Sequence, residues 1–348
     1  MIAHINRVGT ATPPNEVHGL FVEWARSRIE DRRTATLFKR MADRSGIVNR
    51  WSVLAPEPGA RQIDPGGFYH GASPTTARRM AIYAEEAPRL ALEAIAALGP
   101  IEGVTHLVVA SCTGFTAPGI DQIIAARLGL PPSIERTLVG FMGCYAAVAA
   151  LRTAHHIVRS EPAAKVLVVT VELCTLHLQH DVTIEPLLAM LQFGDGAAAA
   201  IVSAEPEGLA ITRTFSAALP DSADLIRWDI GDTGFVMTLD GAVPGRIAEA
   251  LADPMIRAAS VGDAPVDMWA VHAGGRSVLD AVERALSLPD DALAASRTVL
   301  AEKGNMSSAT LLFVLDRLIR GDTRADNGVA LAFGPGMAAE GFGFRIAR

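Results

Sequence analysis

Lys165-Val166-Leu167-Val168-Val169-Thr170-Val171 is a run of mostly β-branched, apolar residues, which predicts a central strand buried on both faces. His106-Leu107-Val108-Val109-Ala110-Ser111 is a second run of this kind. Over residues 73–98, alanines, leucines and isoleucines recur at helical spacing among charged residues, and Pro88 marks the place for a kink. Strands that alternate with helices indicate an α/β fold.

The second half of the chain repeats this order of elements. Two apolar segments, residues 196–202 and 328–333, each follow a turn that contains an aspartate, near the end of its half. This weak internal match predicts two duplicated halves, residues 1–206 and 207–348, which join near Pro206-Glu207-Gly208. The elements predicted in the second half are a helix over 247–260 that Pro254 can interrupt, a strand over 267–271, and helices over 277–286 and 307–320.

Composition describes an ordinary globular protein. Half of the 348 residues are hydrophobic, which is enough to bury a large core in one or two closely packed domains. The formal charge is −7 and the basic residues are scattered, so we expect no nucleic-acid partner and no binding to anionic membranes. The amino terminus lacks a secretory pattern, and no apolar run reaches the roughly 20 residues of a membrane span. We therefore expect a cytoplasmic protein with no membrane span.

The three cysteines, Cys112, Cys144 and Cys174, are far apart and have no spacing typical of zinc ligands or of a disulfide framework. The sequence also lacks the GxxxxGK[ST], GxGxxG, HExxH and GxSxG motifs of phosphate-binding loops, dinucleotide sites, zinc proteases and serine hydrolases. We therefore expect neither a bound metal nor a nucleotide cofactor. Each cysteine is either a small buried hydrophobe or a nucleophile.

Cys144 has the best setting for a nucleophile. It follows the flexible stretch Gly140-Phe141-Met142-Gly143 and precedes a stretch rich in helix-forming residues that continues to Arg159. Backbone N–H groups and the macrodipole at a helix start favour thiolate over thiol. A buried structural cysteine is the alternative at this position.

Two further residues have settings that fit catalysis. His272 follows an apolar strand and precedes Ala273-Gly274-Gly275, and sites in open α/β sheets usually lie at the carboxyl ends of strands. Asn305 lies in Gly304-Asn305-Met306, a turn that opens a helix, where by itself an asparagine reads as a helix cap. Together with Cys144 these residues form a Cys-His-Asn set.

At this point the sequence resembles the type III polyketide synthases of the chalcone synthase kind. The resemblance implies a thiolase-like fold with αβαβα layers, a homodimer, and CoA thioesters as substrates without any other cofactor. It extends over nearly the whole chain, and its motifs are Gly9-Thr10-Ala11-Thr12-Pro13-Pro14-Asn15, Phe38-Lys39-Arg40-Met41-Ala42-Asp43-Arg44-Ser45, Leu191-Gln192-Phe193-Gly194-Asp195-Gly196-Ala197-Ala198, residues 304–309 and Phe333-Gly334-Pro335-Gly336.

The resemblance also implies a role for each member of the Cys-His-Asn set. Cys144 would take the starter acyl group from CoA, helped by a thiolate–imidazolium pair with His272. His272 and Asn305 would donate hydrogen bonds to the enolate left when malonyl-CoA loses CO₂. Repeated condensation and cyclisation would then give a phenolic product (a resorcinol, phloroglucinol or naphthalene) or a pyrone.

The same resemblance implies the substrate contacts. Phe193 matches one of two gatekeeper phenylalanines, with core packing as its alternative, and Met237 replaces the other. Arg40 and Arg44 match cationic positions for CoA phosphates, where Leu37 replaces a third, with solvated surface charge as the alternative. The remaining positions expected to line the substrate cavity are Cys112, Cys174, His177, Trp228 and Ser307.

Three other functions fit part of the pattern. A β-ketoacyl-ACP synthase of the KAS III kind shares the fold and the Cys-His-Asn set, but Met306 and Phe333-Gly334-Pro335-Gly336 favour the polyketide synthase. A non-catalytic thiolase-fold subunit would be expected to lose its nucleophile. A thiol hydrolase is disfavoured by the surroundings expected for Cys144, which suit decarboxylation.

Overall fold

The computed structural model describes residues 2–55, 68–69, 73–180, 183–262, 264–321 and 324–346. Its strands are β1 (His4–Ala11), β2 (Asn15–Glu16), β3 (Trp51–Ser52), β4 (His106–Ser111), β5 (Glu135–Gly140), β6 (Val166–Leu173), β7 (Asp195–Ser203), β8 (Leu209–Ala218), β9 (Ile226–Gly231), β10 (Gly234–Leu239), β11 (Met268–Val271), β12 (Ala325–Gly334) and β13 (Ala338–Ile346). Its α-helices are α1 (His18–Arg28), α2 (Arg32–Asp43), α3 (Thr76–Leu98), α4 (Ile120–Arg127), α5 (Ala146–Ser160), α6 (Ile184–Met190), α7 (Val243–Ala252), α8 (Pro254–Ser260), α9 (Arg276–Leu286), α10 (Ala294–Lys303) and α11 (Ala309–Arg320).

The main sheet of the described residues has nine strands in the order β5-β4-β6-β7-β1-β8-β13-β12-β11. Its strand β6 is buried on both faces, as the sequence predicted. Val166 and Val168 belong to a core cluster with residues of α5, whereas Leu167 and Val169 belong to a second cluster with residues of α3. Burial of each such side chain stabilises the fold by about 1.5–3 kcal/mol.

The pairing of the strands confirms the duplication. In the first half, β4 is parallel to β6, β6 is antiparallel to β7, and β7 is antiparallel to β1. Strands β11, β12, β13 and β8 repeat these relations in the same order. Strand β5 has no counterpart among the second-half strands that the structure describes.

The two apolar segments that we expected to match do not lie in equivalent strands. Residues 196–202 lie in β7, whose counterpart is β13, whereas residues 328–333 lie in β12, the counterpart of β6. The two segments are therefore not equivalent. A strand buried on both faces gives the same apolar run whatever its direction or place in the sheet, so the pattern could not distinguish them.

Five layers follow from this topology. Helices α3 and α4 cover the outer face of the first half-sheet, and α7, α9 and α10 cover the outer face of the second. Helices α5 and α11 lie between the half-sheets and share one core cluster with strands of both. The fold is therefore the αβαβα thiolase-like arrangement that the family resemblance implied.

The two prolines expected to disturb helices behave differently. Pro88 lies inside α3, and the helix continues through it, so the kink expected at Pro88 stays a prediction. Pro254 begins α8, and the Asp253 side chain accepts hydrogen bonds from the Met255 and Ile256 N–H groups, which confirms the interruption there. Helix α10 and the hairpin β9–β10 were not predicted.

The described residues contain no candidate membrane span and no cluster of candidate metal ligands. None of the helices there is both long enough and apolar enough to cross a membrane. Nor do three or more His, Cys, Asp or Glu side chains gather there as metal ligands would.

Candidate active site

The two central helices, α5 and α11, begin at the same place in the molecule. Cys144 lies just before α5, and Asn305 lies in the turn before α11. Each helix leads into an equivalent strand, β6 or β12, so the duplication itself brings the two N-terminal ends together. The Asn305 side chain is near enough to the Cys144 sulfur to lower the pKa of the thiol. Both helix dipoles therefore direct their positive ends at the thiol.

The turn that carries Cys144 depends on glycine. Gly143 has a φ of 74°, and a Cβ there would come within 2.4 Å of Pro335 Cδ. Phe141 also adopts a positive φ, 57°. A short 3₁₀ helix, Gly143–Tyr145, then leads into α5. The loop that contains Pro335 therefore packs directly against the turn and fixes the position of the thiol.

Cys144 is buried, with 8% of its surface exposed. Burial is the largest influence on the thiol and raises its pKa to about 11, and the nearby Glu172 carboxylate acts in the same direction. Hydrogen bonds from Ser307 and Asn305 oppose this rise in the pKa. The resting cysteine is consequently a thiol at neutral pH.

His272 follows β11, and its backbone N–H donates to Leu331 O at 2.8 Å. The imidazole is buried, and neither ring nitrogen has a hydrogen-bond partner among the described residues. Burial lowers its pKa to about 4. Both pKa directions favour the uncharged forms, and among the described residues no hydrogen bond joins the imidazole to the Cys144 sulfur. The thiolate–imidazolium pair stays a prediction.

The amide of Asn305 is held on both sides. Its Nδ2 donates to Gly274 O at 3.2 Å, and its Oδ1 accepts from the Ser307 N–H at 2.9 Å. Its backbone pairs with the segment after α6, where Asn305 N donates to Gln192 O and Gly194 N donates to Asn305 O. The carboxamide thus has one fixed orientation, with its N–H groups on the side of Cys144 and of the loop after His272.

Two cavities meet at Cys144. We call the first the thiol cavity; its volume is about 310 Å³ and all three cysteines line it. The second, the His–Asn cavity, has a volume of about 370 Å³ and is lined by His272 and Asn305. The residues that line both are Cys144, Ala189, Phe193 and Met237. Phe193 and Met237 therefore lie between the cavities, where gatekeeper residues were expected. The other expected cavity residues, Cys112, Cys174, His177, Trp228 and Ser307, all line the thiol cavity.

The hairpin β9–β10 forms one wall of the thiol cavity. Trp228 Nε1 donates to Cys112 O at 2.7 Å. His177 donates from Nε2 to Thr113 O at 2.8 Å and accepts at Nδ1 from the Phe235 N–H at 3.0 Å. Its ring stacks on Phe235 with a centroid separation of 4.2 Å. Both nitrogens of His177 are used within the protein, so it holds the wall in place and has no free nitrogen for a substrate.

Sequence reasoning missed Glu172. This carboxylate is fully buried at the end of β6 and accepts hydrogen bonds from the Cys112 N–H at 3.0 Å, from Thr113 Oγ1 at 2.8 Å and from Ser308 Oγ. Burial raises its pKa. A glutamate in a mostly apolar strand could have indicated this site. A carboxyl group is buried in a sheet only where hydrogen-bond donors surround it.

Arg50 was missed as well. Its guanidinium is buried, lines the thiol cavity and donates to Phe193 O at 2.6 Å and to Met190 O at 2.9 Å. Burial lowers its pKa to about 10, which leaves it charged. The guanidinium also lies 4.7 Å from the centre of the Phe21 ring. Arg50 therefore anchors the backbone of the gate residue Phe193, a relation between distant segments that no local pattern contains.

The two arginines expected at CoA have different surroundings. Arg44 lines a surface depression of about 650 Å³ that shares Met41, Leu188, Gln192 and Ser277 with the His–Asn cavity. Arg40 is exposed on α2 and lines neither of the two cavities nor this depression. We call the depression the mouth, since it opens the His–Asn cavity to the surface.

Comparison with known proteins agrees with this geometry. Family models of the N-terminal and C-terminal domains of chalcone and stilbene synthases match residues 2–206 and 210–347. The chain is 37% identical over 352 residues to the alpha-pyrone synthesis polyketide synthase-like Pks18 of Mycobacterium tuberculosis, with 89% of each chain covered. It is 34% identical over 369 residues to the bisdemethoxycurcumin synthase of Oryza sativa subsp. japonica, with 97% of this chain and 91% of the relative covered.

A solved structure extends the comparison to three dimensions. The C-terminal type III polyketide synthase domain of Steely1 from Dictyostelium matches all of both chains with a TM-score of 0.90 and 26% identity. The chain therefore belongs to the chalcone and stilbene synthase family and is a type III polyketide synthase, an acyltransferase with a thiolase-like fold.

Proposed function

We propose that Cys144 carries the acyl chain and that His272 and Asn305 act on it from the His–Asn cavity. The observation that carries this proposal is that all three residues line one cavity, which leads to a cationic mouth. When an acyl-CoA starter binds, the proton of the thiol passes to a free ring nitrogen of His272. Sulfur attacks the thioester carbonyl, and CoA leaves with that proton as a thiol. His272 is neutral again once the acyl group is on Cys144 as a thioester.

Malonyl-CoA then binds in the same cavity and loses CO₂. The electron pair of the broken C–C bond becomes an enolate, whose oxygen accepts hydrogen bonds from Asn305 Nδ2 and from a ring N–H of His272. Asn305 is held in one orientation before the substrate arrives, so little reorganisation is needed. The enolate carbon attacks the Cys144 thioester, which breaks the C–S bond, displaces the Cys144 sulfur as a thiolate and leaves the lengthened chain on CoA. That thiolate then attacks the new CoA thioester, so the chain returns to Cys144 and CoA leaves as a thiol with a proton from solvent.

Phe193 and Met237 separate the two stages of this cycle. Their apolar side chains face the site where the malonyl carboxylate must lie, and an apolar setting favours its loss as neutral CO₂. The growing chain passes them into the thiol cavity, whose wall includes Cys112, Cys174, Trp228 and Ser307. Of the two arginines, we propose that Arg44 contacts the CoA phosphates, because only Arg44 lines the mouth.

We further propose an α-pyrone as the product. Lactone formation needs only an enol oxygen of the chain to attack the Cys144 thioester, which releases the chain and returns the proton to sulfur. The indole of Trp228 takes up space in the thiol cavity, which favours this compact closure over the folding of a longer chain. The relative Pks18 is described as an alpha-pyrone synthesis enzyme, which supports the same choice.

We also infer a homodimer. Strand β5 is an edge of the described sheet, and five of its six residues are exposed. Leu138 on this strand and the nearby Phe115 are each 45% exposed. An open strand edge with exposed apolar side chains suits pairing with a second copy about a two-fold axis. The mass of the protein in solution, measured by light scattering, with Leu138→Asp expected to give a monomer, tests this inference.

Two further inferences concern location and organisation. We place the enzyme in the cytoplasm, because its cysteines are free and its substrates are CoA thioesters. We keep residues 1–206 and 207–348 as the two domains. Expression of either part alone, followed by a test of cooperative unfolding, checks that division.

The function is tested by product analysis. We expect the purified protein, given malonyl-CoA and acyl-CoA starters of increasing length, to release CO₂ and form pyrones detectable by mass spectrometry. Cys144→Ala should abolish starter loading, and Asn305→Ala should slow CO₂ release by about 10²–10³-fold. Resorcinols in place of pyrones would refute the proposed closure. Condensation with malonyl-ACP but with no CoA substrate would instead indicate a KAS III activity.

A further inference from the structure

The mouth contains an arginine that the sequence did not single out. Arg276 is the first residue of α9 and lines the mouth together with Arg44. Its Nη1 donates to the backbone oxygen of Arg44 at 3.1 Å, so the start of α9 is tied to the end of α2. Two guanidinium groups from separate elements thus lie on one side of the opening.

Their charges are only partly compensated. Within the described residues, the side chain of Arg44 makes no ion pair or hydrogen bond. Arg276 Nε lies 3.6 Å from Asp280 Oδ2, beyond hydrogen-bond distance, and Asp280 accepts a hydrogen bond from Arg297 at 2.8 Å. The α2–α9 side of the mouth therefore keeps free donors and excess positive charge.

Among the described residues that line the mouth, two arginines face one carboxylate, that of Asp280. Glu185 and Asp240 line the His–Asn cavity but not the mouth, whereas Asp280 is the acidic residue that lines the mouth beside Arg276. The His–Asn cavity shares Ser277, the second residue of α9, with the mouth. If a substrate has a long arm that reaches Cys144 and an anionic group at the other end of that arm, we expect the anionic group to bind at the α2–α9 side, next to the two arginines.

We propose that Arg276 adds a second guanidinium to the CoA contact already proposed for Arg44, and that it binds the 3′-phosphate or the diphosphate of a CoA thioester. The proposal rests on the function proposed above and identifies Arg276 as a specificity-determining residue for it. Guanidinium groups bind phosphate through paired N–H donors, and the long pantetheine arm would then extend toward Cys144. The phosphate of a carrier-bound phosphopantetheine has the same chemistry, so the two sources must be separated by experiment.

The decisive comparison uses substrates with and without the nucleotide. For Arg276→Ala we expect the KM for malonyl-CoA to rise about tenfold, with kcat nearly unchanged, because a charge-assisted contact that is the same in the ground and transition states is lost. The KM for the malonyl thioester of pantetheine, which lacks these phosphates, should not change. Arg284→Ala, an exposed arginine near the other end of the same helix, serves as the matched control. Arg276→Lys should recover part of the lost affinity.

Binding of adenosine 3′,5′-bisphosphate, measured by calorimetry, gives a test independent of turnover. We expect Arg276→Ala and Arg44→Ala each to weaken it, and Arg284→Ala to leave it unchanged. Equal KM values for malonyl-CoA in Arg276→Ala and Arg284→Ala would overturn the site. A loss confined to malonyl groups on a carrier protein would overturn the assignment to CoA. If no CoA thioester is condensed but the bisphosphate still binds through Arg276, the proposed function fails and the phosphate site stands.

Discussion

Trp228 and Met237 face each other as directly paired residues across the hairpin β9–β10. Trp228 lines the thiol cavity, whereas Met237 lines both cavities. One hairpin therefore carries both the wall of the chain-binding space and one side of the gate. A change of side-chain volume at residue 228 therefore affects both the cavity wall and the gate, because residues 228 and 237 are directly paired across the two strands.

Replacement of Trp228 by alanine should lengthen the products. The missing indole opens space at the wall and lets Met237 move toward it, so we expect at least one further malonyl extension in part of the product. Trp228→Phe keeps most of the ring but removes the hydrogen bond to Cys112 O, which should cost about 1 kcal/mol of stability with little change in product length. Mass spectrometry of the products and thermal unfolding measure the two effects. Ile230→Ala, an exposed position on the same hairpin, should change neither.

The pKa values of the catalytic pair predict how Cys144 reacts in the resting enzyme. With the thiol pKa raised to about 11, the rate of alkylation by iodoacetamide should rise about tenfold per pH unit between pH 7 and 9, without a plateau. His272, whose pKa is lowered to about 4, is uncharged throughout this range and gives the thiolate no support.

The rate is measured by mass spectrometry of the intact protein, with Cys144→Ser as the control for reaction at the other two cysteines. Burial also raises the pKa values of Cys112 and Cys174, so the control should react slowly. A rate that is already constant below pH 7 would show that the thiolate–imidazolium pair exists before substrate binds.

Glu172 and Ser307 should change this reactivity in opposite directions. The Glu172 carboxylate raises the pKa of Cys144, so Glu172→Gln should lower it and speed alkylation at pH 8. Ser307 donates a hydrogen bond that lowers the same pKa, so Ser307→Ala should slow alkylation. Each full unit of change in pKa alters the thiolate fraction tenfold. Glu205→Gln, at an exposed position, is the control, and a faster rate in Ser307→Ala would contradict the assignment.

The sequence predicted those parts of the protein that have a local signature. The strands over residues 106–111 and 165–171 were predicted because a buried strand needs an unbroken apolar run. Cys144, His272 and Asn305 were recognised because each follows a glycine-rich turn or a strand end, and the family motifs linked them. The structure places all three around one cavity, and their catalytic roles remain proposals.

What the sequence did not predict depends on contacts between distant segments. Nothing in the sequence around Arg50 distinguishes it from a surface arginine, and only the structure shows that its guanidinium donates a hydrogen bond to Phe193 O. Arg276 reads as a helix start, and only the packing of α9 against α2 brings it beside Arg44. The lowered pKa of His272 could not be predicted either, because the loss of hydration that causes it depends on everything packed around the ring.

His177 gives the last prediction, on the pH dependence of stability. Burial lowers its pKa to about 3, far below the ordinary 6.5. Below pH 6.5 His177 binds a proton in the unfolded chain but stays neutral in the folded one. The free energy of unfolding therefore decreases as the pH falls from 6.5 toward 3. For this one residue the loss is about 1.4 kcal/mol per pH unit. His177→Gln has no titrating ring and should escape that loss.

At pH 7 we expect His177→Gln to be less stable than the wild type by about 2 kcal/mol, because the Phe235 N–H and the Thr113 carbonyl lose a well-placed partner. Between pH 6.5 and 4.5 this difference in stability should narrow and then close. Only the wild type loses stability in this range, because its His177 binds a proton in the unfolded chain but not in the folded one. Urea unfolding of both proteins at several pH values, with the exposed His156→Gln as control, measures the difference. A difference that stays constant with pH would mean that His177 already carries a proton in the folded protein, and that its bond to the Phe235 N–H is absent.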